Sequence, residues 1–541
     1  MKTRALLRAC CLALVLLLSI GLFAACGDDE PDTSATPSNS GSSNNSSGAS
    51  EDPGDTSGPR SEYEDENGRY VASTSGNTYG GSTITFLVCS VNATYESEIV
   101  KNDYSLPEHA VDEANRMLST LNDAIGDRTD LVEELLGVTV EEEFVHDTGG
   151  RPGGAMATRI RQDAMAFTSD YQIVVPCLYD GALLSQENVL LDLNSLNGLQ
   201  IKAPWWDQVF NAEMTIDGKL FFTIGDIGIG NKSSTAALTW NKDLYKRYNL
   251  DTKYDGTPYD YVRNGTWTID VALEMTREFS EDLNTDGVID YQDRVGWEGQ
   301  LDDMWSLFYG AGARIATSVG TASGYPELTM YSERNSSIMD KIQDLVLDKA
   351  HYVSANDYFG VVQWPSELTR DNFIAGNALF YNGSMATPLE LGDMEDNYGL
   401  LPIPKGDKEQ EMYNSLVNPW TSTCFAVPRW ISDEDQQMVA DVLNVMGAAS
   451  ANLLAPVYLD QCLENMKSRD ADTKDMIENY ILPGRSTDIG LVFRWGGLDT
   501  MLHDMATETN RGQFTSTWQS KESAAQSALE ETIAAFRAAS D

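Results

Sequence analysis

The segment from Asp282 to Asp293 carries oxygen-bearing side chains at the spacing typical of a calcium loop. Acidic or amide side chains occupy loop positions 1, 3, 5, 9 and 12, and Gly287 at position 6 permits the sharp turn. With the carbonyl oxygen at position 7, the predicted Ca²⁺ ligands are Asp282, Asn284, Asp286, Val288, Asp290 and Asp293. Because position 12 is Asp rather than the longer Glu, we expect a modest affinity. A structural role is expected because extracellular calcium is plentiful and extracellular modules of this kind bind it weakly. The alternative is an acidic surface loop that binds no ion.

Aromatic residues near the ends of predicted strands form the second set with a chemical use. The C–H faces of sugars pack on Trp and Tyr rings, whose polar edges suit a half-hydrated cleft. These rings and their polar neighbours are the candidate ligand-binding residues: Tyr179, Asp180, Trp240, Tyr381, Asn382, Trp420, Arg494 and Trp495. For each Trp the alternative is packing inside a core, and Trp205-Trp206 is assigned to packing.

The elements that must position these residues alternate along the chain. Strand-like apolar runs at 84–88, 138–145 and 171–175 are separated by segments with helical periodicity. This β-α-β-α-β order predicts a parallel sheet with helices on its faces, and ligands of such sheets lie beyond the carboxyl ends of the strands. A second alternating block begins with the strand-like run 219–224 and ends in a C-terminal helix.

Composition excludes several classes of function. The 541 residues include 83 Asp and Glu against 37 Lys and Arg, which gives a formal net charge of -46. Such a chain has no basic surface to replace the counterions of nucleic acid or to dock on anionic lipid. Four histidines leave few ordinary ligands for a zinc or iron centre. No GxSxG, HExxH or Walker-type pattern occurs, so the sequence predicts no enzyme.

The N-terminus has the pattern of an export signal. A basic start and the apolar run 12–23 predict a signal peptide over residues 1–25, too short to span a membrane comfortably. The residues before Cys26 resemble the lipobox of bacterial lipoproteins, which implies that Cys26 is lipidated (palmitate). The alternative is an ordinary secretory signal with Cys26 incidental. Residues 26–80 then form a tether rich in Ser, Gly and Asn, and no later stretch is predicted to span a membrane.

Four cysteines remain in the folded part, namely Cys89, Cys177, Cys424 and Cys462. None belongs to a CxxC pair, so we expect them to be buried small apolar residues rather than a disulfide framework. Cys89 and Cys177 both end short apolar runs, and a disulfide between these two stays open.

Four local patterns resemble the extracellular solute-binding proteins of ABC importers, in their large and mostly carbohydrate-binding branch (family 1). They are the segments 190–194, 218–223 with 240–244, 373–380 and 398–405. The resemblance covers about residues 82–540. It implies an α/β, periplasmic-binding-protein-like (type II) fold of two lobes, joined by hinge crossings, with the ligand in the cleft between them.

Boundaries for the two lobes follow from the alternation and the resemblance together. Residues 81–222 with 376–430 are predicted to form the first lobe. Residues 223–375 with 431–541 are predicted to form the second lobe, which carries the calcium loop 282–293.

The resemblance implies a monomer held on the extracytoplasmic face of the cell membrane by its lipid anchor. It would close around a small-molecule solute and deliver it to the permease subunits of an ABC transporter. The many aromatics favour an oligosaccharide, and the acidity disfavours anionic solutes unless Arg494 or Arg370 meets them. Two alternatives stay open: a surface lipoprotein that binds a protein or peptide partner, and a secreted glycoside hydrolase.

Overall fold

The computed structural model describes residues 62–90, 99–101, 113–147, 151–168, 170–362, 364–464 and 471–539. The predicted signal peptide, Cys26 and the first part of the tether lie outside the described residues, as does the side chain of Cys462.

The strands are short and scattered along the chain. In chain order they are β1 (Ser82–Ser90), β2 (Val138–His146), β3 (Ile173–Val175), β4 (Ala236–Asn241), β5 (Ser280–Glu281), β6 (Arg294–Gly299), β7 (Ala316–Thr317), β8 (Glu327–Leu328), β9 (Tyr352–Ser354), β10 (Ala378–Ser384), β11 (Tyr398–Leu401), β12 (Ser415–Leu416) and β13 (Arg485–Ser486).

The helices range from single turns to long core helices. They are α1 (Glu113–Leu136), α2 (Ala155–Ala166), α3 (Leu178–Ser185), α4 (Gln208–Met214), α5 (Gly230–Ser233), α6 (Lys242–Arg247), α7 (Leu250–Lys253), α8 (Pro258–Arg263), α9 (Ile269–Thr276), α10 (Asp303–Gly310), α11 (Glu333–Val346), α12 (Ser366–Ile374), α13 (Thr387–Glu390), α14 (Asp433–Glu464), α15 (Ala471–Met476), α16 (Ile489–Phe493), α17 (Leu498–Asp504) and α18 (Phe514–Ala538).

The first lobe is built on the parallel sheet β2-β1-β3. Single antiparallel bridges extend this sheet, since Val174 pairs with Ala426 and Thr223 pairs with Phe425. Its apolar faces bury one hydrophobic core, to which the middle of α14 and the end of α18 also contribute. The β-α-β-α-β order predicted for this region is therefore confirmed.

The second lobe is built on a mixed sheet in the order β11-β4-β10-β6-β5, with β9 also paired to β6. Strand β4 is buried along its whole length because strands flank it on both edges and helices cover its faces. A second, separate core surrounds this sheet. Two sheets with two cores confirm the predicted α/β class with two lobes.

The predicted lobe boundaries need correction. Strands β10 and β11 pair with β4, which places residues 376–416 in the second lobe rather than in the first. Conversely, the middle of α14 and the end of α18 pack in the first core, although 431–541 was predicted to lie in the second lobe. The lobe boundaries were wrong because local alternation identifies a strand but does not indicate which sheet the strand joins.

The N-terminal described segment, residues 62–81, is fastened along α14. The Tyr70 N–H donates to Asn452 Oδ1 at 3.0 Å, and Asn452 Nδ2 donates to the Tyr70 carbonyl at 2.8 Å. Nearer the sheet, Tyr79 Oη donates to Asp441 Oδ2 at 2.6 Å. Both helix residues lie on α14, whose middle packs in the first core, so this segment belongs to the first lobe. Residues 62–80 were predicted to be part of the disordered tether 26–80, and that boundary is wrong because hydrogen bonds to a distant helix leave no local pattern.

Helix α14 also bears on the membrane prediction. Within the described residues, its part Asp433–Asp460 is long and apolar enough to cross a membrane by length and composition alone. We expected no segment after the signal peptide to be apolar enough to span a membrane, and by length and composition this expectation is wrong. However, 61% of the apolar window is buried inside the protein.

The cysteines behave as the sequence predicts. Cys89, Cys177 and Cys424 are free and buried, so the disulfide left open between Cys89 and Cys177 is not formed. Burial raises the pKa of Cys89 to about 12, which leaves its thiol protonated and unreactive at neutral pH.

Candidate ligand-binding site

A polar cavity of about 300 Å³ opens in the second lobe, where the segments that cross between the lobes leave it. The residues around it come from the loop after β6, from α10 and α12, from the end of β10 and α13, and from the crossing segments. They are Ser234, Ala236, Gln300, Asp302, Asp303, Ser306, Ser366, Arg370, Tyr381, Asn382, Gly383, Ser384, Thr387, Glu390, Leu416, Asn418 and Thr421. We call this space the acidic cavity.

Asp303 is the most deeply buried acid of this wall, with 2% of its surface exposed. Its Oδ2 accepts hydrogen bonds from Tyr352 Oη at 2.9 Å and from Trp297 Nε1 at 3.4 Å. Gly299 makes this position possible, because a Cβ at residue 299 would lie 1.8 Å from Asp303 Oδ2. Burial raises the pKa of Asp303 to about 7, since every group that contacts it is neutral and cannot offset the loss of water.

Asp302, the residue before Asp303, contacts a segment that crosses between the two lobes. Asn418 Nδ2 donates to Asp302 Oδ2 at 2.8 Å, and His503 Nε2 lies 3.4 Å from Asp302 Oδ1. Because Asn418 follows the crossing strand β12, this contact ties the cavity wall to a segment that passes between the lobes.

Arg370 supplies the guanidinium of the cavity lining. Arg370 Nη1 lies 3.6 Å from Glu390 Oε2, and Arg370 Nε lies 3.7 Å from Asp371 Oδ1. Burial raises the pKa of Glu390, and the charge of Arg370 opposes that rise only in part. Both distances are long for charge-assisted hydrogen bonds, so the guanidinium is only loosely paired.

Asn382 supplies an uncommitted acceptor on the wall that carries Asp303 and Ser306. Its side chain is 4% exposed, and Nδ2 donates to Ser306 Oγ at 3.1 Å. Its Oδ1 is buried and has no hydrogen-bond partner within the described residues. A buried acceptor without a partner costs about 1–3 kcal/mol, which a donor on a bound ligand would recover.

A second cavity, of about 240 Å³, lies at the edge of the first lobe. It is lined by Pro152, Tyr179, Ala182, Leu183, Gln186, Val492, Phe493, Arg494, Gly497 and Asp499. The Arg494 guanidinium lies 5.3 Å from the centre of the Tyr179 ring and its Nε pairs with Asp499 Oδ2 at 2.7 Å. We call this space the Tyr179 cavity.

One tryptophan links the walls of the two cavities. The Trp305 ring stacks on His503 with 4.0 Å between ring centres, and its Nε1 donates to the Asp499 carbonyl at 2.9 Å. His503 in turn faces Asp302 of the acidic cavity. The two cavities are therefore adjacent parts of one region at the junction of the lobes.

Comparison with known proteins gives matches of structure only. No family model and no curated protein matches the sequence. One similar solved structure is an ABC substrate-binding protein from Listeria monocytogenes in complex with cycloalternan, with 12% identity and a TM-score of 0.49, covering 84% of this chain and 98% of that one.

Two others have comparable scores. A family 1 extracellular solute-binding protein from Bifidobacterium longum subsp. infantis shows 12% identity and a TM-score of 0.46, covering 85% of this chain and 100% of that one. The GacH receptor of Streptomyces glaucescens, solved unliganded and with acarbose, shows 15% identity and a TM-score of 0.47, covering 84% and 98%. These identities and TM-scores are low, so the function proposed below rests on the cavities of this chain.

The structure brings some of the predicted site residues together. Tyr381 and Asn382 lie on the acidic cavity, whereas Tyr179 and Arg494 lie on the Tyr179 cavity. Trp420 is half-buried next to Tyr179, and the two rings make an edge-on contact with 6.2 Å between their centres.

Other predicted residues lie in packed surroundings. Trp240 is 2% exposed and contacts Tyr245 and Tyr259 edge-on inside the second core, and it lines neither the acidic cavity nor the Tyr179 cavity. Trp495 is 2% exposed, and its Nε1 donates to Thr532 Oγ1 at 2.8 Å. Asp180 is fully buried and accepts the Gly153 N–H at 2.7 Å. Trp240 and Trp495 therefore lie in packed cores, which is the alternative stated for each tryptophan.

Sequence reasoning missed most of the acidic wall. Asp302 and Asp303 follow the carboxyl end of strand β6, where the rule for α/β sheets places ligands, but this strand was not recognised. It also missed Trp364, which is 61% exposed and lies two residues before Ser366 of the cavity wall. An exposed Trp at the start of a wall helix is a surface on which a sugar ring can stack.

The calcium loop has the predicted turn between β5 and β6. Gly287 has a φ of 85°, and Asp282 Oδ2 accepts its N–H at 2.8 Å. Asp293 is fully buried, and its two oxygens accept the N–H groups of Leu283 and Asp290 at 2.8 and 3.0 Å. Across the described part of the chain, no group of three or more His, Cys, Asp or Glu side chains is arranged to hold a metal ion.

Proposed function

We propose that this chain is an extracytoplasmic solute-binding protein that closes two lobes around a solute, an oligosaccharide, and delivers it to an ABC importer. The observation that carries the proposal is the acidic cavity, because Ser234, Asn418 and Thr421 of its wall belong to segments that cross between the lobes. A hinge motion at these segments would change the shape of the cavity, which couples ligand binding to lobe closure.

The chemistry of the wall supports a polyhydroxylated ligand. Carboxylates, amides and hydroxyls surround the space, and a saccharide offers both donors and acceptors to such groups. Tyr381 on the wall and Trp364 near its rim supply faces for sugar C–H groups.

The proposal is tested by thermal unfolding of the full chain in detergent with a panel of oligosaccharides. A ligand at about 100 times its Kd should stabilise the native state by about 2.7 kcal/mol. We expect Asn382→Ala to lose the shift, and Asn67→Ala, an exposed position in the N-terminal segment, to keep it. The absence of any shift across the panel would contradict the proposal, and release of reducing ends would favour the hydrolase alternative.

We also propose that Cys26 is lipidated and anchors the protein, as a monomer, on the extracytoplasmic face of the membrane. The lipobox-like residues before Cys26 support this. Cys26→Ser is expected to move the protein from the membrane fraction to the soluble fraction. Retention of the variant in the membrane fraction would contradict lipid anchoring.

Calcium binding by the loop 282–293 is a further proposal of the same standing. Its support is the ligand spacing and the turn at Gly287. The proposed ligands are the six that the spacing predicts, namely the side chains of Asp282, Asn284, Asp286, Asp290 and Asp293 and the Val288 carbonyl. Equilibrium dialysis with calcium alone tests this, and Asp286→Ala should abolish binding.

A further inference from the structure

The charges around the acidic cavity are unequal. Three carboxyl groups, those of Asp302, Asp303 and Glu390, face one guanidinium, that of Arg370. A ligand that displaces water from this space removes the solvation of all four groups, and charge left uncompensated there is costly.

The basic side chains near these carboxyls lie against two of them. Arg370 lies between Glu390 and Asp371, and His503 lies against Asp302. Asp303 differs, because among the described residues no Lys, Arg or His forms an ion pair with it. Its known partners, the side chains of Tyr352, Trp297 and Asn382 and the Gln300 N–H, are neutral donors.

The neighbouring Tyr179 cavity does not supply the missing charge. Its cation, Arg494, is bound to Asp499 at 2.7 Å and lies over the Tyr179 ring. The carboxyl of Asp303 therefore has no cationic partner from either cavity.

A separate observation also points to a donor on the ligand. Asn382 Oδ1 lies on the same wall, is buried, and has no hydrogen-bond partner among the described residues. An ammonium group has three donors and no acceptor, so it matches a wall that presents a carboxylate and an open amide oxygen. The nearby face of Tyr381 would also attract a cation through its ring quadrupole.

We infer that the solute of the acidic cavity is an amine-bearing saccharide, whose protonated or quaternary nitrogen is held by Asp302, Asp303 and Asn382. This inference rests on the proposed function, because it names the class of solute for the same cavity. It also implies that phosphorylated or uronic-acid sugars are rejected, since they would add negative charge to an acidic wall.

The test uses matched pairs of saccharides that differ in one amine. Calorimetry of the full chain compares trehalose with 6-amino-6-deoxytrehalose, and cellobiose with the glucosamine disaccharide, at about pH 7.5. This is above the pKa of about 7 of Asp303, so its carboxyl is mostly ionised, while a primary alkyl amine still carries its proton. We expect the amine-bearing member of at least one pair to bind at least about tenfold more tightly, a difference of about 1.4 kcal/mol. Asp302→Asn and Asp303→Asn should each reduce this preference, and neutral sugars should lose little.

Asp344→Asn is the matched control, because Asp344 is an exposed acid paired with Arg511 and lines neither the acidic cavity nor the Tyr179 cavity. It should keep the preference. If neutral sugars bind as tightly as their amine partners, or if the preference survives both wall variants, the inference is wrong and the proposed function stands. If no saccharide of either kind binds, the inference and the proposed function fall together.

Discussion

Two acidic regions close together in sequence use the same residue types in opposite ways. In the loop 282–293, Asp286 is exposed and Asp282 is half-buried, and both accept hydrogen bonds from the loop's own N–H groups. On the cavity wall, Asp303 is buried and its pKa rises to about 7, because only neutral donors surround it. The difference shows that spacing along the chain identifies the first kind of site, whereas burial by distant elements creates the second.

The largest expected effect comes from deleting the buried carboxyl. Asp303→Ala would leave Tyr352 Oη and Trp297 Nε1 buried without their acceptor, and each such donor costs about 1–3 kcal/mol. We expect the free energy of unfolding in urea to fall by about 2–4 kcal/mol. Asp286→Ala in the exposed loop, measured with a chelator present, should change it by less than about 0.5 kcal/mol. Equal losses at the two sites would remove the contrast between the regions.

The second prediction concerns pH. Because burial raises the pKa of Asp303 from 3.8 to about 7, the native state holds a proton that the unfolded state releases at lower pH. Stability should therefore fall as pH rises from about 4 to about 7, by at most about 1.4 kcal/mol per pH unit for this group. Asp303→Asn should make the slope of unfolding free energy against pH shallower. An unchanged slope in the variant would show that Asp303 is ionised in the native state.

Calcium should act on the other region alone. At about 10 to 100 times its Kd, the ion should raise the free energy of unfolding by about 1–3 kcal/mol. Asp286→Ala should remove this gain, and Asp302→Asn on the wall should keep it. Thermal unfolding with calcium and with a chelator measures both variants. Loss of the calcium effect in Asp302→Asn would place the ion at the cavity instead.

The smallest effect on stability is expected at the rim. Trp364 is 61% exposed, so Trp364→Ala should change the free energy of unfolding by less than about 0.5 kcal/mol. If its ring stacks on the sugar, the variant should weaken saccharide binding by about 2- to 10-fold. Tyr331→Ala, at another exposed aromatic outside the acidic cavity, is the control. Equal saccharide binding by wild type and Trp364→Ala would show that the Trp364 ring does not stack on the sugar.

Local periodicity predicted many of the elements because it reflects which faces each segment buries. The run 84–88 falls within β1, and the alternation from 82 to 175 gives the observed parallel sheet. Pairing between distant strands leaves no such pattern. Strand β10 was therefore assigned to the first lobe, although it pairs with β4 of the second lobe.

Site residues were predictable only where a strand end was recognised. Tyr381 and Asn382 were found in this way and lie on the acidic cavity. Trp240 also lies in a recognised strand, but both faces of β4 are covered, so its ring enters the core. Whether a ring meets a core or a cavity depends on what packs over it, and that comes from other parts of the chain.

The fastening of residues 62–81 to α14 has a mechanical consequence. Any pull transmitted along the chain toward Tyr70 and Tyr79 is borne by Asn452 and Asp441, and so enters the first lobe. The second lobe, with the acidic cavity and its exposed Trp364, carries none of that load directly. If the chain is anchored at Cys26 as proposed, the first lobe is the half held at the anchor, and the second lobe with the acidic cavity is the half left free to move.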